Sequence, residues 1–380
     1  MLGQEAEQGK LDMEFSEEQE ELRASLQRFL ADRAPIAWVR ALYDDPRGTT
    51  DDVWRGLADL SVLGVVAPEK YGGAGLGMVD ACVVLEELGR AVHPSPYASS
   101  AIGAVSAIAL GAASDQQNRW LPGLVNGDAI GTVALLDEGR RAEWRDPLAT
   151  ASSTGEGWSV SGTKVHVPDA CAANVLVVSA TAADGVGCFV VEADAAGVTV
   201  EETRTVDGSR KFGRVVLDGA PAVRLATDDA LDVLDAVADR LAVAAVADGV
   251  GCAAHALEIC VEYAKDRQQF GRPIGLFQAV QHLLADMLRA VELTRAASYY
   301  GAWACDAADV AERHRAATMA LAYATEQLPK IGADAVQAHG GIGFTWEHDI
   351  HLYFKRLLTL GQAGGGPATQ LEELASIVLG

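Results

Sequence analysis

Residues 266–278 read DRQQFGRPIGLFQ, setting Arg267 and Arg272 five positions apart among two phenylalanines, two glycines, a proline and three glutamines. An arginine fork, amide side chains and backbone N–H groups exposed at a helix end suit a phosphate or a carboxylate. The same residues have a plainer reading. Arg267 can cap the carboxyl end of its own helix, and Phe270 and Phe277 can be ordinary core. Other reactive side chains are dispersed. The six cysteines (Cys82, Cys171, Cys188, Cys252, Cys260, Cys305) form no CxxC pair and have no clustered histidine, so neither a metal site nor a disulfide framework is indicated. Cys252 and Cys260 read as packing residues, and His255, His282 and His339, lacking spacing partners, as solvated or core histidines.

The elements that must carry such a segment belong to a 380-residue chain that is 49% hydrophobic, long enough for two or three domains with a large core. A formal net charge of −23 opposes attraction to nucleic acid and to anionic membranes, so any bound polyanion needs local arginines. The opening MLGQEAEQGKLD lacks a basic and an apolar region of the kind that directs export, and no run of about 18 apolar residues occurs. A reducing cytoplasm is the expected compartment.

Three textures follow along the chain. From Phe15, FSEEQEELRASLQRFLADR opens with Ser16 and Gln19 at capping-box spacing, and Leu22, Leu26, Phe29 and Leu30 recur at helical spacing. More helix follows through VWRGLADL and VDACVVLEELGRAV, broken by the turn-rich PEKYGGAGLG of residues 68–77. Between about 126 and 226 short β-branched runs (WSVSG, NVLVVSA, GCFVVEA, GVTVEE, GRVVLDG) alternate with turns, predicting a small barrel or sandwich. From about 228 an alanine-rich helix runs to Arg267, and further long helices are predicted over 274–304, 308–339 and 345–358. The expected class is α+β multidomain: a helical domain over 1–125, a β-barrel or sandwich domain over 126–226, and a long-helix bundle over 227–380.

This order resembles the acyl-CoA dehydrogenase family. APEKYGGAGLG followed by LEELGR, then GWSVSGTKVHV, YAKDRQQFGRPIGLFQAVQHLLADM and QAHGGIGFTWEHDIHLYFKR resemble four family signatures in the right order across nearly the whole chain. The resemblance implies a catalyst of α,β-desaturation of an acyl-CoA thioester, with FAD as cofactor and an electron-transfer flavoprotein as oxidant. In such proteins the arginine and phenylalanine of RxxFG, the glutamine of FQ and the QxxGG turn hold the pyrophosphate and adenosine half of a neighbouring subunit's FAD. Here those positions are Arg267, Phe270, Gln278, Gln337, Gly340 and Gly341. Arginine's planar fork matches phosphate oxygens, and glycines let backbone N–H groups approach with no Cβ in the way.

Departures from the family concentrate at the flavin ring. The Thr-Glu-Pro-like segment ending in Gly-Ser is replaced by ALLDEGRRAEWRDP (134–147), and His166 stands where an aromatic usually lies against the flavin. The α-proton must be taken by a carboxylate. The family's carboxy-terminal glutamate position falls on Gly364, and the alternative position on Leu241. Asp239 is two residues from Leu241, about 200° around a helix, and is the remaining candidate base. Three readings stand: a subunit of a hetero-oligomer clamping the FAD of a homologous partner, a self-sufficient homo-oligomeric dehydrogenase with Asp239 as base, and a non-redox acyl-CoA binding protein.

Overall fold

The computed structural model describes residues 15–379 except 141, 142 and 156; the amino-terminal stretch read for export lies outside them. Helix α1 (Glu17–Arg33) begins at the anticipated capping box: Gln19 N–H donates to Ser16 Oγ at 3.2 Å, and Ser16 N–H to Gln19 Oε1 at 3.1 Å. Its Leu26 and Leu30 are buried, with Leu22 and Phe29 packed beside them. After α2 (Ile36–Ala41) and α3 (Asp51–Asp59) come α4 (Met78–Arg90), a π-helical turn at Ala98–Ala104, α5 (Val105–Gly111) and α6 (Ser114–Val125).

Seven strands follow: β1 (Gly131–Ala134), β2 (Thr150–Ser153), β3 (Trp158–Pro168), β4 (Val175–Ala182), β5 (Gly185–Glu192), β6 (Val198–Thr203) and β7 (Phe212–Arg224). The hydrogen-bonded path β4-β2-β3-β7-β5 returns to β4, so five strands close a barrel; β1 adds parallel to β4, and β6 pairs with β7. Strand β4 is buried on both faces because alternate residues serve two cores. Leu176, Val178 and Ala180 fill the barrel with Phe189 and Val215, whereas Val175 and Val177 pack on Val105 and Ile108 of α5 and Leu234 of the next helix.

That helix, α7 (Ala230–Asp266), is followed by a hairpin of β8 (Gln268–Gln269) and β9 (Arg272–Pro273), then α8 (Gln278–Ala307), α9 (Val310–His339), α10 (Ile350–Leu360) and α11 (Pro367–Leu379). The predicted starts at 274 and 345 move to 278 and 350. Ile274–Leu276 form a single 3₁₀ turn that the extended Phe277 (φ −91°, ψ 130°) separates from α8, and residues 345–349 form a turn before α10. Helices α4 and α7 meet backbone to backbone. A Cβ built on Gly89 would lie 2.0 Å from the Asp248 carbonyl oxygen, and one on Gly251 1.8 Å from that of Glu86. No helix among the described residues is long and apolar enough to cross a membrane, and no group of three or more metal-ligating side chains forms among them.

Candidate functional site

The Arg267 segment is built as a presentation device. Gln268 pairs with Pro273 and Gln269 with Arg272, leaving a two-residue loop, Phe270-Gly271, with φ of 54° and 78°. Positive φ at both positions is the geometry of a tight type I′ hairpin, which glycine accepts and phenylalanine adopts at a cost of about 1–2 kcal/mol. Phe270 is thereby set at the tip, 92% exposed. A core role for this ring is excluded by that exposure. Arg267 ends α7 with its N–H on the Tyr263 carbonyl, while its side chain is exposed and forms no hydrogen bond or ion pair among the described residues. Arg272 lies over the Phe277 ring at 4.2 Å, and Phe270 meets Phe277 edge-on at 6.0 Å, which stiffens the hairpin against the start of α8, where Gln278 is exposed.

The second half-site lies at the end of α9. Gln337 is exposed, Gly340 turns the chain with φ 63° and ψ −141°, and a Cβ on either Gly340 or Gly341 would meet nothing within 4 Å. Just beyond, Phe344 and Trp346 are also exposed. Tyr263, one turn before Arg267, stacks on His339, the neighbour of Gly340, so both half-sites occupy one end of the bundle. An exposed arginine, two exposed amides and an open glycine turn are donors that suit a phosphate group, and the exposed ring offers a flat apolar face beside them.

The β domain carries different features. Lys164 of β3 is fully buried and donates to Asp137 Oδ2 at 2.9 Å, to Ser179 Oγ at 3.1 Å and to the Leu135 carbonyl at 3.2 Å. Asp137 also accepts the N–H groups of Leu148 and Ala149. This ion pair pins the segment on either side of residues 141 and 142 to the barrel. His166 sits at a register shift between Lys164 and Val167 with φ 51°, an exposed side chain on a bulge. Asp169 is buried; burial raises its carboxyl to about 6 despite Arg210, Ser99 and Arg356, and Ser99 Oγ–H donates to it at 2.6 Å.

Neither position that the family resemblance implies for the base, Gly364 or Leu241, is a carboxylate. Gly364 has φ 59°, and a Cβ on it would lie 2.5 Å from Gln370 Nε2 and 2.8 Å from Leu321 Cδ2. Leu241 points toward the π-helical turn, its Cδ2 3.3 Å from where a Cβ on Gly103 would stand. Asp239 faces α9 instead. It is 4% exposed, and its two oxygens accept from Arg313 Nε and pair with His314 Nδ1, each at 2.8 Å. His314 Nε2 pairs in turn with Glu373 of α11 at 3.1 Å, and Arg145 bridges to Asp235 and Glu373. Hydrogen bonding to Asp239 foremost, against burial, raises the His314 imidazole. Between Asp239 and Arg267 run about 40 Å of continuous helix at 1.5 Å per residue. The structure therefore gathers Arg267, Phe270, Gln278, Gln337, Gly340 and Gly341 and leaves Asp239 far from them.

Sequence reading passed over two groups. One is the buried junction of the three domains, where Arg356, 1% exposed, pairs with Asp248 at 2.8 and 3.0 Å and donates to Ser209 and to the His93 carbonyl. No local pattern marks it, since its members lie in different domains. The other is the Tyr263–His339 pair, which stands one turn before Arg267 and beside Gly340 but which no local spacing links.

A helical domain, a closed barrel and a long-helix bundle define an acyl-CoA dehydrogenase fold, and the chain belongs to the acyl-CoA dehydrogenase family. Family models for its N-terminal, middle and C-terminal domains match residues 16–128, 134–220 and 236–379. The chain is similar to acyl-CoA dehydrogenase IpdE2 of Mycobacterium tuberculosis, 34% identical over 363 residues, covering 95% of this chain and 98% of the relative. It is also similar to a solved structure described as a Tcur3481-Tcur3483 steroid ACAD G363A variant, with 36% identity, TM-score 0.88, and 96% and 98% of the two chains covered. The ChsE4-ChsE5 complex from Mycobacterium tuberculosis matches at 28% identity and TM-score 0.88 over 97% and 99%.

Proposed function

We propose that this chain is a subunit of a hetero-oligomeric acyl-CoA dehydrogenase whose own task is to clamp the adenosine and pyrophosphate half of the FAD bound by a homologous partner. The observation that carries this reading is the separation along α7. The clamp residues lie about 40 Å along the helix from Asp239, the one carboxylate this chain offers near a base position, so a flavin held at the clamp does not present its ring there, and the reading gives the ring to another chain. When bound, FAD supplies the hydride acceptor for α,β-desaturation.

In this chain Arg267 forks onto the pyrophosphate, Phe270 covers the adenosine end, and Gln278, Gln337 and the N–H groups at Gly340 and Gly341 complete the cradle. The proton-abstracting carboxylate comes from the partner. Asp239, paired through both oxygens, ties α7 to α9 rather than acting as base. The self-sufficient alternative would require Asp239 to leave two partners and turn about 200° around its helix toward the face of Leu241. Likeness to a steroid enzyme and to a two-component complex supports a bulky steroid-derived thioester as the substrate class; the family resemblance implies an electron-transfer flavoprotein as oxidant, and the expected compartment is the cytoplasm.

Visible flavin absorbance per chain tests the reading. The chain purified alone should hold little FAD, and a complex with a catalytically complete homologue should hold fewer flavins than chains. One tightly bound FAD per chain in a homo-oligomer would refute it.

A further inference from the structure

The two halves of the clamp grow from different helices, so something must hold them in register. At their base three rings meet. Tyr263 of α7 stacks on His339 of α9 at 4.4 Å and 29°, His348 of the following turn lies 4.5 Å from His339, and Tyr263 and His348 meet edge-on at 6.4 Å. Cys260 Sγ, one turn earlier, lies 3.7 Å from the Ala335 carbonyl and 3.9 Å from His339 Nδ1.

His339 is fixed in tautomer as well as place. Its Nδ1 is 2.8 Å from the Ala335 carbonyl, an acceptor, so Nδ1 carries the hydrogen and Nε2 presents a buried lone pair without a donor among the described residues. Burial holds the imidazole below its ordinary pKa, which keeps the ring neutral. His348 Nδ1 accepts the Ile350 N–H, tying the same cluster to the start of α10.

We propose that Tyr263 and His339 are positioning residues of the cofactor clamp, their stack setting the spacing between the Arg267–Phe270 hairpin and the Gln337–Gly341 turn. The inference rests on the clamp reading above. Neither ring touches the cofactor in this account. Each acts one turn or one residue away from a group that does.

The test is the rate of FAD release from the flavin-loaded assembly, followed by the fluorescence gained as flavin leaves, together with the thermal midpoint. His339→Phe keeps a ring for stacking, and His339→Gln keeps an amide donor for Ala335 but no ring. Release should quicken about 5- to 10-fold in His339→Gln, the factor expected for one aromatic pair, and stay within about twofold in His339→Phe. Tyr263→Leu, which also loses the 3.5 Å Tyr263 O–H bond to the His339 carbonyl, should quicken release at least as much as His339→Gln, and the double variant should be no faster than Tyr263→Leu alone, since the stack is one shared contact. This arm also serves if His339→Gln fails to fold. Equal release rates for the Gln and Phe variants, or additive effects in the double variant, would overturn the positioning role. Arg267→Lys separates the two claims. If it speeds release while the stack variants do not, this inference fails alone; if it has no effect, or the assembly carries no flavin, the clamp reading fails with it.

Discussion

Asp239→Asn distinguishes a base from a structural tie. In the folded chain Asp239 accepts from Arg313 Nε and pairs with His314 Nδ1, each at 2.8 Å, with the carboxylate 4% exposed. Asparagine can keep its carbonyl oxygen on Arg313 but turns an NH₂ toward His314 Nδ1, so while His314 is protonated one charge-assisted bond becomes donor against donor. Such bonds contribute about 1.5–3 kcal/mol each, and breaking a buried pair costs about 3–5 kcal/mol. Because the side chains of Arg313 and His314 keep 12% and 21% exposure, water compensates part of the loss, and we expect about 2–4 kcal/mol.

The cost should depend on pH. His314 is raised in the fold, first by its bond to Asp239, so its contribution is present below the unfolded value of about 6.5 and is lost as pH rises through the folded value. The penalty measured by urea unfolding at fixed protein concentration is therefore larger near about pH 6 than near about pH 8.5. Turnover per flavin with an artificial electron acceptor should stay near wild type. A fall of about 10² to 10⁴-fold in turnover with an unmoved unfolding midpoint would assign the base to Asp239 and refute the reasoning.

Three further outcomes are expected. Arg267→Lys keeps the charge but replaces a planar fork with a point charge, so FAD content of the assembly should fall; unchanged content would favour simple helix capping. Gly251→Ala drives a methyl to 1.8 Å from the Glu86 carbonyl oxygen, and forcing α4 and α7 apart should destabilise the chain by about 3 kcal/mol or more, read as a lowered thermal midpoint. Burial raises Asp169 to about 6, so the folded state binds more protons than the unfolded between about pH 4 and 6, and its contribution to stability falls as pH rises through that window. Asp169→Asn should remove that slope when the unfolding free energies of variant and wild type are compared across it.

Much of the architecture was legible because it is written in local periodicity. Ser16 and Gln19 announced the first helix, the β-branched runs announced the barrel, and the alanine-rich stretch to Arg267 announced α7, since each pattern reports which face of one element leaves water. The exposed Arg267–Phe270 hairpin and the open Gly340–Gly341 turn were legible for a related reason: arginine, phenylalanine and paired glycines crowd into two short segments whose turn chemistry is local. What a residue faces across the core is not local. Asp239 stood two positions from a family base site in the sequence, yet helix rotation aims it at Arg313 and His314, about 75 residues further on. His339 gave no sign of partnership until α7 and α9 ended side by side and brought Tyr263 against it. Arg356, Asp248, Ser209 and the His93 carbonyl became one buried junction only where three domains met, because burying a charge depends on partners that folding alone assembles.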